Sequence, residues 1–287
     1  MPDFKVREAI QITDGRSVDL RPQWNVDGQS IIFERKTSDG SMLCSLRLGN
    51  TVKSEPESLE ICNNGARKVQ GRAAFFSRDE FAFVSDRLGQ PAIWLADLKR
   101  RFVEPLTQPA ADEADYGPAT LPEADGHFAF FRIIGSGRPH LYVGRLREAI
   151  QPLTISKAYG DQPWFLPGTS RLVFHSRRTG DDGVFQQEAA QGAPAFRLGV
   201  EDERTSFVTP FPSPNGSHIV FASAASGSSQ IWVMRADGSN RQQLTFAPTP
   251  ACFPAWSPMG RAIVFVRGDP QAERPTGSLW RMVLDAC

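Results

Sequence analysis

Ile231-Trp232-Val233-Met234-Arg235-Ala236-Asp237-Gly238-Ser239-Asn240-Arg241-Gln242-Gln243-Leu244-Thr245 is the stretch whose reading decides the fold. An apolar strand carries an aromatic, the chain turns at Asp237-Gly238, and the return ends in a Leu-Thr pair. Asp-Gly accepts the positive φ that a tight hairpin demands. Echoes of the same phrase stand at Ile93-Trp94 with Leu106-Thr107 and at Leu141-Tyr142 with Leu153-Thr154. A phrase repeated at this spacing points to a solenoid or a propeller.

Two anchors set the register outward from that phrase. Phe33, Phe83, Phe131, Phe174, Phe221 and Phe265 end short apolar strands at spacings of 50, 48, 43, 47 and 44. Cys44, Trp94, Tyr142, Phe185, Trp232 and Trp280 follow in the next strand at spacings of 50, 48, 43, 47 and 48. The first four intervals agree, and the loop from Arg267 to Gly277 accounts for the longer last one. Each unit opens with a strand that ends near Pro or an aromatic, as in Pro22-Gln23-Trp24, Pro163-Trp164, Pro210-Phe211 and Pro254-Ala255-Trp256. A turn follows at Asp27-Gly28, Asp125-Gly126, Asn215-Gly216 or Met259-Gly260, then an apolar strand, a polar loop and two more strands. Four strands in ~40–45 residues make a propeller blade.

The expected fold class is all-β: a six-bladed β-propeller with four antiparallel strands per blade in one domain, 1–287. The expected blades are 16–62, 63–107, 108–154, 155–199, 200–245 and 246–287. The last lacks a fourth strand, and residues 7–13, ending in Ile12-Thr13 where other units have Leu-Thr, are expected to supply it. The motive is that an open ring leaves strand edges unpaired.

The pattern resembles the TolB-type six-bladed propeller repeat, also found in tricorn-like and prolyl-oligopeptidase propellers. Phe253-Pro254-Ala255-Trp256-Ser257-Pro258-Met259-Gly260, Ser213-Pro214-Asn215-Gly216, Ser85-Asp86-Arg87-Leu88-Gly89 and the Asp237-Gly238 to Leu244-Thr245 run carry the likeness. It spans essentially the whole chain. Phe75-Phe76-Ser77-Arg78-Asp79 departs from it by lacking the turn glycine, and the run from Gly192 to Gly199 by lacking the Leu-Thr ending. The resemblance implies a scaffold that presents a loop face to a protein or peptide partner.

Composition narrows the classes. Lys+Arg and Asp+Glu are equal at 32 each, so no net field draws the chain to nucleic acid. No apolar run approaches ~20 residues, so no membrane span is expected. Met1-Pro2-Asp3-Phe4-Lys5 has no signal-like apolar core. The cytoplasm is the expected compartment, or the periplasm if a leader preceded Met1; a monomer is expected. Cys44, Cys62, Cys252 and Cys287 show no metal-site spacing. Cys44 and Cys62 fall in the third and fourth strands of one blade, with Cys44 in the aromatic slot, and a buried thiol is the expected state.

Candidate chemistry is sparse. There is no G-x-S-x-G elbow for a serine hydrolase. His127 and His218 start second strands and are expected in solvent, His140 begins a third strand, and His175 follows Phe174 near the loops. A basic residue follows the second strand in five units: Arg35, Arg87, Arg132, Arg177 and Arg267, with Lys36, Arg138 and Arg178 nearby. The linking segments that share this face are acidic: Asp19, Asp112, Glu113, Asp115, Asp161, Glu201, Asp202 and Glu203. Local ion pairing is one reading of this face; the other is recognition, with arginines available to carboxylate or phosphate groups. Tyr116 and Tyr159 precede opening strands and are expected at the channel mouth, whereas Trp94, Tyr142, Phe185, Trp232 and Trp280 are expected in the core, and Trp24, Trp164 and Trp256 near turns.

The expected function is therefore a non-enzymatic protein- or peptide-binding module using the arginine-rich face and channel mouth, with no cofactor and no metal. Its alternative is a channel-centred enzyme of lyase or lactonase type, acting on a sugar, uronate or lactone with one divalent metal.

Overall fold

The computed structural model describes residues 3–49, 55–65, 68–122, 126–154, 159–199 and 207–286. Asp125, Glu201, Asp202, Glu203 and Cys287 lie outside them. Strand β1 (Phe4–Gln11) precedes the first blade, which comprises β2 (Asp19–Trp24), β3 (Ser30–Lys36), β4 (Ser41–Arg47) and β5 (Glu57–Ser58). A short helix, α1 (Glu60–Asn63), leads to the second: β6 (Gln70–Phe75), β7 (Glu80–Ser85), β8 (Ala92–Asp97) and β9 (Phe102–Pro105). The third holds β10 (Glu113–Thr120), β11 (His127–Ile134), β12 (His140–Arg145) and β13 (Gln151–Pro152). The fourth holds β14 (Asp161–Phe165), β15 (Arg171–Ser176), β16 (Gly183–Glu188) and β17 (Ala195–Arg197). The fifth holds β18 (Phe207–Pro212), β19 (His218–Ser223), β20 (Gln230–Arg235) and β21 (Gln242–Gln243). The sixth runs β22 (Ala251–Trp256), β23 (Ala262–Arg267), β24 (Ser278–Ala286), and then β1.

The ring thus closes through its N-terminal strand, which begins earlier than expected, at Phe4. Phe4 pairs Ala286 and Gln11 pairs Trp280, antiparallel, with one irregularity after Val6. The inner strands β2, β6, β10, β14, β18 and β22 each touch the next, and β22 touches β2.

The Leu-Thr phrase has a physical job. Thr107, Thr154 and Thr245 accept through Oγ1 the N–H of Ile93, Leu141 and Ile231, at 2.9, 3.0 and 2.9 Å. Thr13 does the same for Leu279 N–H at 2.9 Å, so the N-terminal segment repeats the clasp that its sequence announced. In the first blade Asn63 stands in: its Oδ1 accepts from Leu43 N–H and its Nδ2 donates to Leu43 O, both at 2.9 Å.

Three expectations need correction. Tyr142 pairs with Phe130, not Phe131, so the third blade's first anchor lies one residue earlier. Consecutive phenylalanines hide this slip, although one residue reverses the face. Cys62 sits in α1 rather than in a fourth strand, because β5 ends at Ser58; its buried thiol does not face Cys44 across a hairpin. Cys44, Cys62 and Cys252 are free thiols, and burial pushes the three up to about 11, 12 and 12. His218 is half-buried rather than free in solvent, for the Phe4 ring meets it edge-on at 4.9 Å and Asp3 Oδ2 lies 3.2 Å from its Nε2.

Candidate functional site

The loop-side arginines are built into the blades. In four blades the anchor Phe pairs with the aromatic of the next strand, and a guanidinium caps the pair. Arg87 lies over Phe83 and Trp94, Arg132 over Phe130 and Tyr142, Arg178 over Phe174 and Phe185, and Arg267 over Phe265 and Trp280, at 4.4–5.8 Å from the rings. Arg35 lies over Phe33 at 5.4 Å, with Cys44 in the second aromatic position. Guanidinium over an aromatic face is attractive, more so when desolvated.

Two sequence solutions reach the same place. Arg35, Arg132 and Arg267 stand two residues after the Phe. Where Ser85 or Ser176 occupies that position, Arg87 or Arg178 arrives two residues later and donates Nε to the serine Oγ at 3.2 Å. In the fifth blade Ser223 occupies that position, and Ala225 rather than an arginine stands two residues later.

Asp19 and Asp115, both fully buried, receive bidentate pairs from Arg35 (2.7 and 2.9 Å) and Arg132 (2.6 and 2.9 Å). These hydrogen bonds outweigh burial and raise the pKa of both arginines, whereas burial alone lowers Arg178 and Arg267. Arg87, also lowered by burial, donates to the Cys62 carbonyl.

In the fourth blade His175 is held between two carboxylates. Nδ1 is 2.7 Å from Asp161 Oδ1 and Nε2 is 2.6 Å from Asp182 Oδ1. A carboxylate only accepts, so both ring nitrogens donate and the ring is an imidazolium. Burial opposes its charge, but the two carboxylates win and raise its pKa. Arg177, which was expected to face a partner, forks onto Asp182 at 2.6 and 2.9 Å while remaining 61% exposed. Tyr159 meets the His175 ring edge-on at 6.3 Å.

The channel is shaped by six equivalent bulges. Every inner strand shifts register once, and the shifted residue has positive φ: Arg21 (48°), Arg72 (32°), Gly117 (60°), Gln162 (52°), Thr209 (53°) and Phe253 (51°). All but Gly117 carry a side chain, at a cost of roughly 1 kcal/mol or more each. Five of the six precede a proline. Arg21, Arg72, Gln162, Thr209 and Phe253 meet at a waist where only about 20 Å³ stays open.

A cup opens on either side of this waist. The linker-side cup, about 400 Å³, is walled by Arg21, Glu34, Lys36, Lys68, Arg72 and Tyr116. The turn-side cup, about 600 Å³, is walled by Trp24, Phe75, Trp164, Phe211 and Trp256, with prolines. Glu34 joins Arg21 at 2.6 Å and Lys36 at 3.6 Å. Arg72 crosses from the second blade to the fourth, donating Nη1 to Gln162 Oε1 and Nη2 to Pro163 O (3.4 Å), with its guanidinium 4.4 Å from the Trp164 ring centre. Burial, helped by the like charge of Arg21, pushes Arg72 down to about 9.

Of the residues singled out from sequence, Tyr116 lines the linker-side cup; Asp115 and Asp161 clamp Arg132 and His175. Arg35, Arg87, Arg132 and Arg267 are intrablade caps, and Tyr159 packs on His175. Arg21, Arg72 and Gln162 were missed, although a signal existed: they occupy the position that precedes the recurring proline in other units. Among the described residues no three His, Cys, Asp or Glu side chains converge as metal ligands. Two guanidiniums at the waist are a donor set that repels a divalent cation.

No family model and no curated protein matches the chain. Solved structures do. A TolB-type protein from Agrobacterium tumefaciens superposes with a TM-score of 0.70 at 18% identity, over 96% of both chains. TolB from Acinetobacter baumannii gives 0.65 at 17%, covering 96% of this chain and 64% of that one. An oligogalacturonate lyase in complex with manganese gives 0.65 at 14%, covering 99% and 97%. By fold, the chain is a TolB-like six-bladed β-propeller.

Proposed function

We propose that this propeller is a non-enzymatic binding module that receives a protein or peptide segment on its linker-side face, at the mouth of the channel. The observation that carries this reading is the closed waist. A segment entering from the linker side meets Arg72 and Arg21 and stops in a charged cup. The likeness to TolB structures agrees with such a role, and loops on a rigid scaffold are where binding residues concentrate.

The alternative of a metal-dependent lyase or lactonase draws on the likeness to the manganese-bound oligogalacturonate lyase. The axial donor set does not fit it. His175, the histidine nearest the loops, has both nitrogens committed to Asp161 and Asp182, which leaves no free lone pair for a metal or a substrate proton.

A peptide-array screen tests the reading. Arg177 and Lys68 are exposed and can be replaced together without removing a ring cap. R177A/K68A is expected to lose most of the array signal of the wild type. An unchanged array pattern, or no peptide bound by the wild type, overturns it.

A further inference from the structure

Arg72 differs from the other inner-strand arginine in lacking an acidic partner. Only 5% exposed, it donates to the side-chain oxygen of Gln162 and the carbonyl of Pro163, both neutral. Among the described residues no carboxylate lies within ion-pair distance of it. Arg21, by contrast, reaches Glu34 at 2.6 Å. A charge withdrawn from water without a counter-ion is costly, and native proteins keep such a group chiefly where something else completes it.

Arg72 also walls a cavity large enough to hold that missing group. The linker-side cup measures about 400 Å³ and is lined by four cations, Arg21, Lys36, Lys68 and Arg72, against two carboxylates, Glu34 and Asp39. Glu34 is already shared between Arg21 and Lys36. The backbone gives way to the guanidinium: Gly117 takes φ +60°, and a Cβ there would stand 2.6 Å from the Phe131 ring and 3.1 Å from Arg72 Nη1.

We propose that the linker-side cup is a carboxylate-binding site, with Arg72 as its anchor and Lys68 at its rim. A carboxylate is favoured over phosphate because Arg72 carries a single charge that Asp161 offsets only from beyond ion-pair distance, and a planar monoanion matches that charge and the guanidinium hydrogens left over from Gln162 and Pro163. The ligand is either a small free acid or the carboxylate of a peptide. The inference rests on the cup being a binding site, and small acids test it apart from any peptide.

The experiment is a titration in buffer free of carboxylate and phosphate, followed by arginine Nε–Hε NMR signals and tryptophan fluorescence, since Trp164 lies beneath the guanidinium. The probes are acetate, benzoate, N-acetyl-Gly-Phe with a free C-terminus, its amide, and inorganic phosphate. Saturable shifts with the free acids and none with the amide are expected. Benzoate alone would mark a small-acid site, and stronger binding of the dipeptide acid a peptide-terminus site. R72Q is expected to weaken binding on the order of thirtyfold or more, as loss of a desolvated charge partner does. If R72Q does not fold, R72K serves, expected to lose about tenfold with the two-pronged geometry. No saturable shift with any acid overturns the proposal, as does unchanged affinity in the folded Arg72 variant, or tighter binding of phosphate than of every carboxylate. Failure of the peptide array with success here would remove the peptide partner and leave the carboxylate site standing.

Discussion

The two mouths of the channel come from the same six strands and share almost no chemistry. The linker-side cup holds Arg21, Glu34, Lys36, Lys68 and Arg72; the turn-side cup holds Trp24, Phe75, Trp164, Phe211 and Trp256. The dividing line is the bulge. Residues before it, such as Asp19 and Asp115, begin at the polar linkers, while residues after it, which follow a proline in five of the six strands, are mostly aromatic or apolar. One displaced residue per strand therefore separates a charged surface from an apolar one, and the bulge side chains close the space between them. Bulges recur where a strand must re-aim a side chain, and here six of them act at one level of the ring.

Both cups exist only while the ring is closed, so removing β1 is the harshest way to break the comparison. Deletion of residues 3–13 exposes the edge of β24 and takes away the Thr13 clasp on Leu279. The expected outcome is loss of the cooperative thermal transition, with aggregation, and circular dichroism melts with light scattering measure both. A truncated chain that still melts cooperatively at the wild-type temperature contradicts the closure argument.

Trp164 joins the two regions, walling the turn-side cup while its ring supports Arg72. Trp164→Ala is expected to cost about 3–5 kcal/mol, as loss of a buried large aromatic does. Trp164→Phe should cost much less, because it keeps a face under the guanidinium. Urea denaturation of the two variants separates packing from mere occupancy; equal losses would show that the ring beneath Arg72 is not what matters.

A subtler effect comes from His175. Its folded pKa is raised above the ordinary 6.5, so its contribution is full below pH 6.5 and fades as pH rises through the folded value. Wild-type stability should decline over that window, and H175Q should flatten the decline. Urea midpoints measured across a pH series check the sign: a rise in stability over the same window would refute the imidazolium assignment. The smallest effect is expected at Lys68, where K68A on an exposed rim should change stability by less than about 0.5 kcal/mol.

How far these features could be read in advance depends on their range. The Leu-Thr phrase was legible because its hydrogen bond spans one hairpin and recurs; Ile12-Thr13 was recognisable from the same two residue types. The third-blade anchor was not, because Phe130 and Phe131 are chemically alike and only the ladder with Tyr142 shows which faces the cap. The basic residues behind the second strand were visible as a pattern, but the sequence left local ion pairing and recognition open as two readings of them. Arg132 looked available to a partner, and only the cross-strand register sets Asp115 against it.

The sequence by itself determined the number of blades, the closing strand and the polarity of the linkers, because hairpin turns, alternating strands and short-range clasps are encoded within some fifty residues. The tertiary structure alone decided which charges meet. Arg72 and Gln162 are ninety positions apart in the chain and touch because bending six sheets into a ring brings their bulges onto one axis. Periodicity specifies each blade locally, whereas the contents of the channel depend on all six arriving at once.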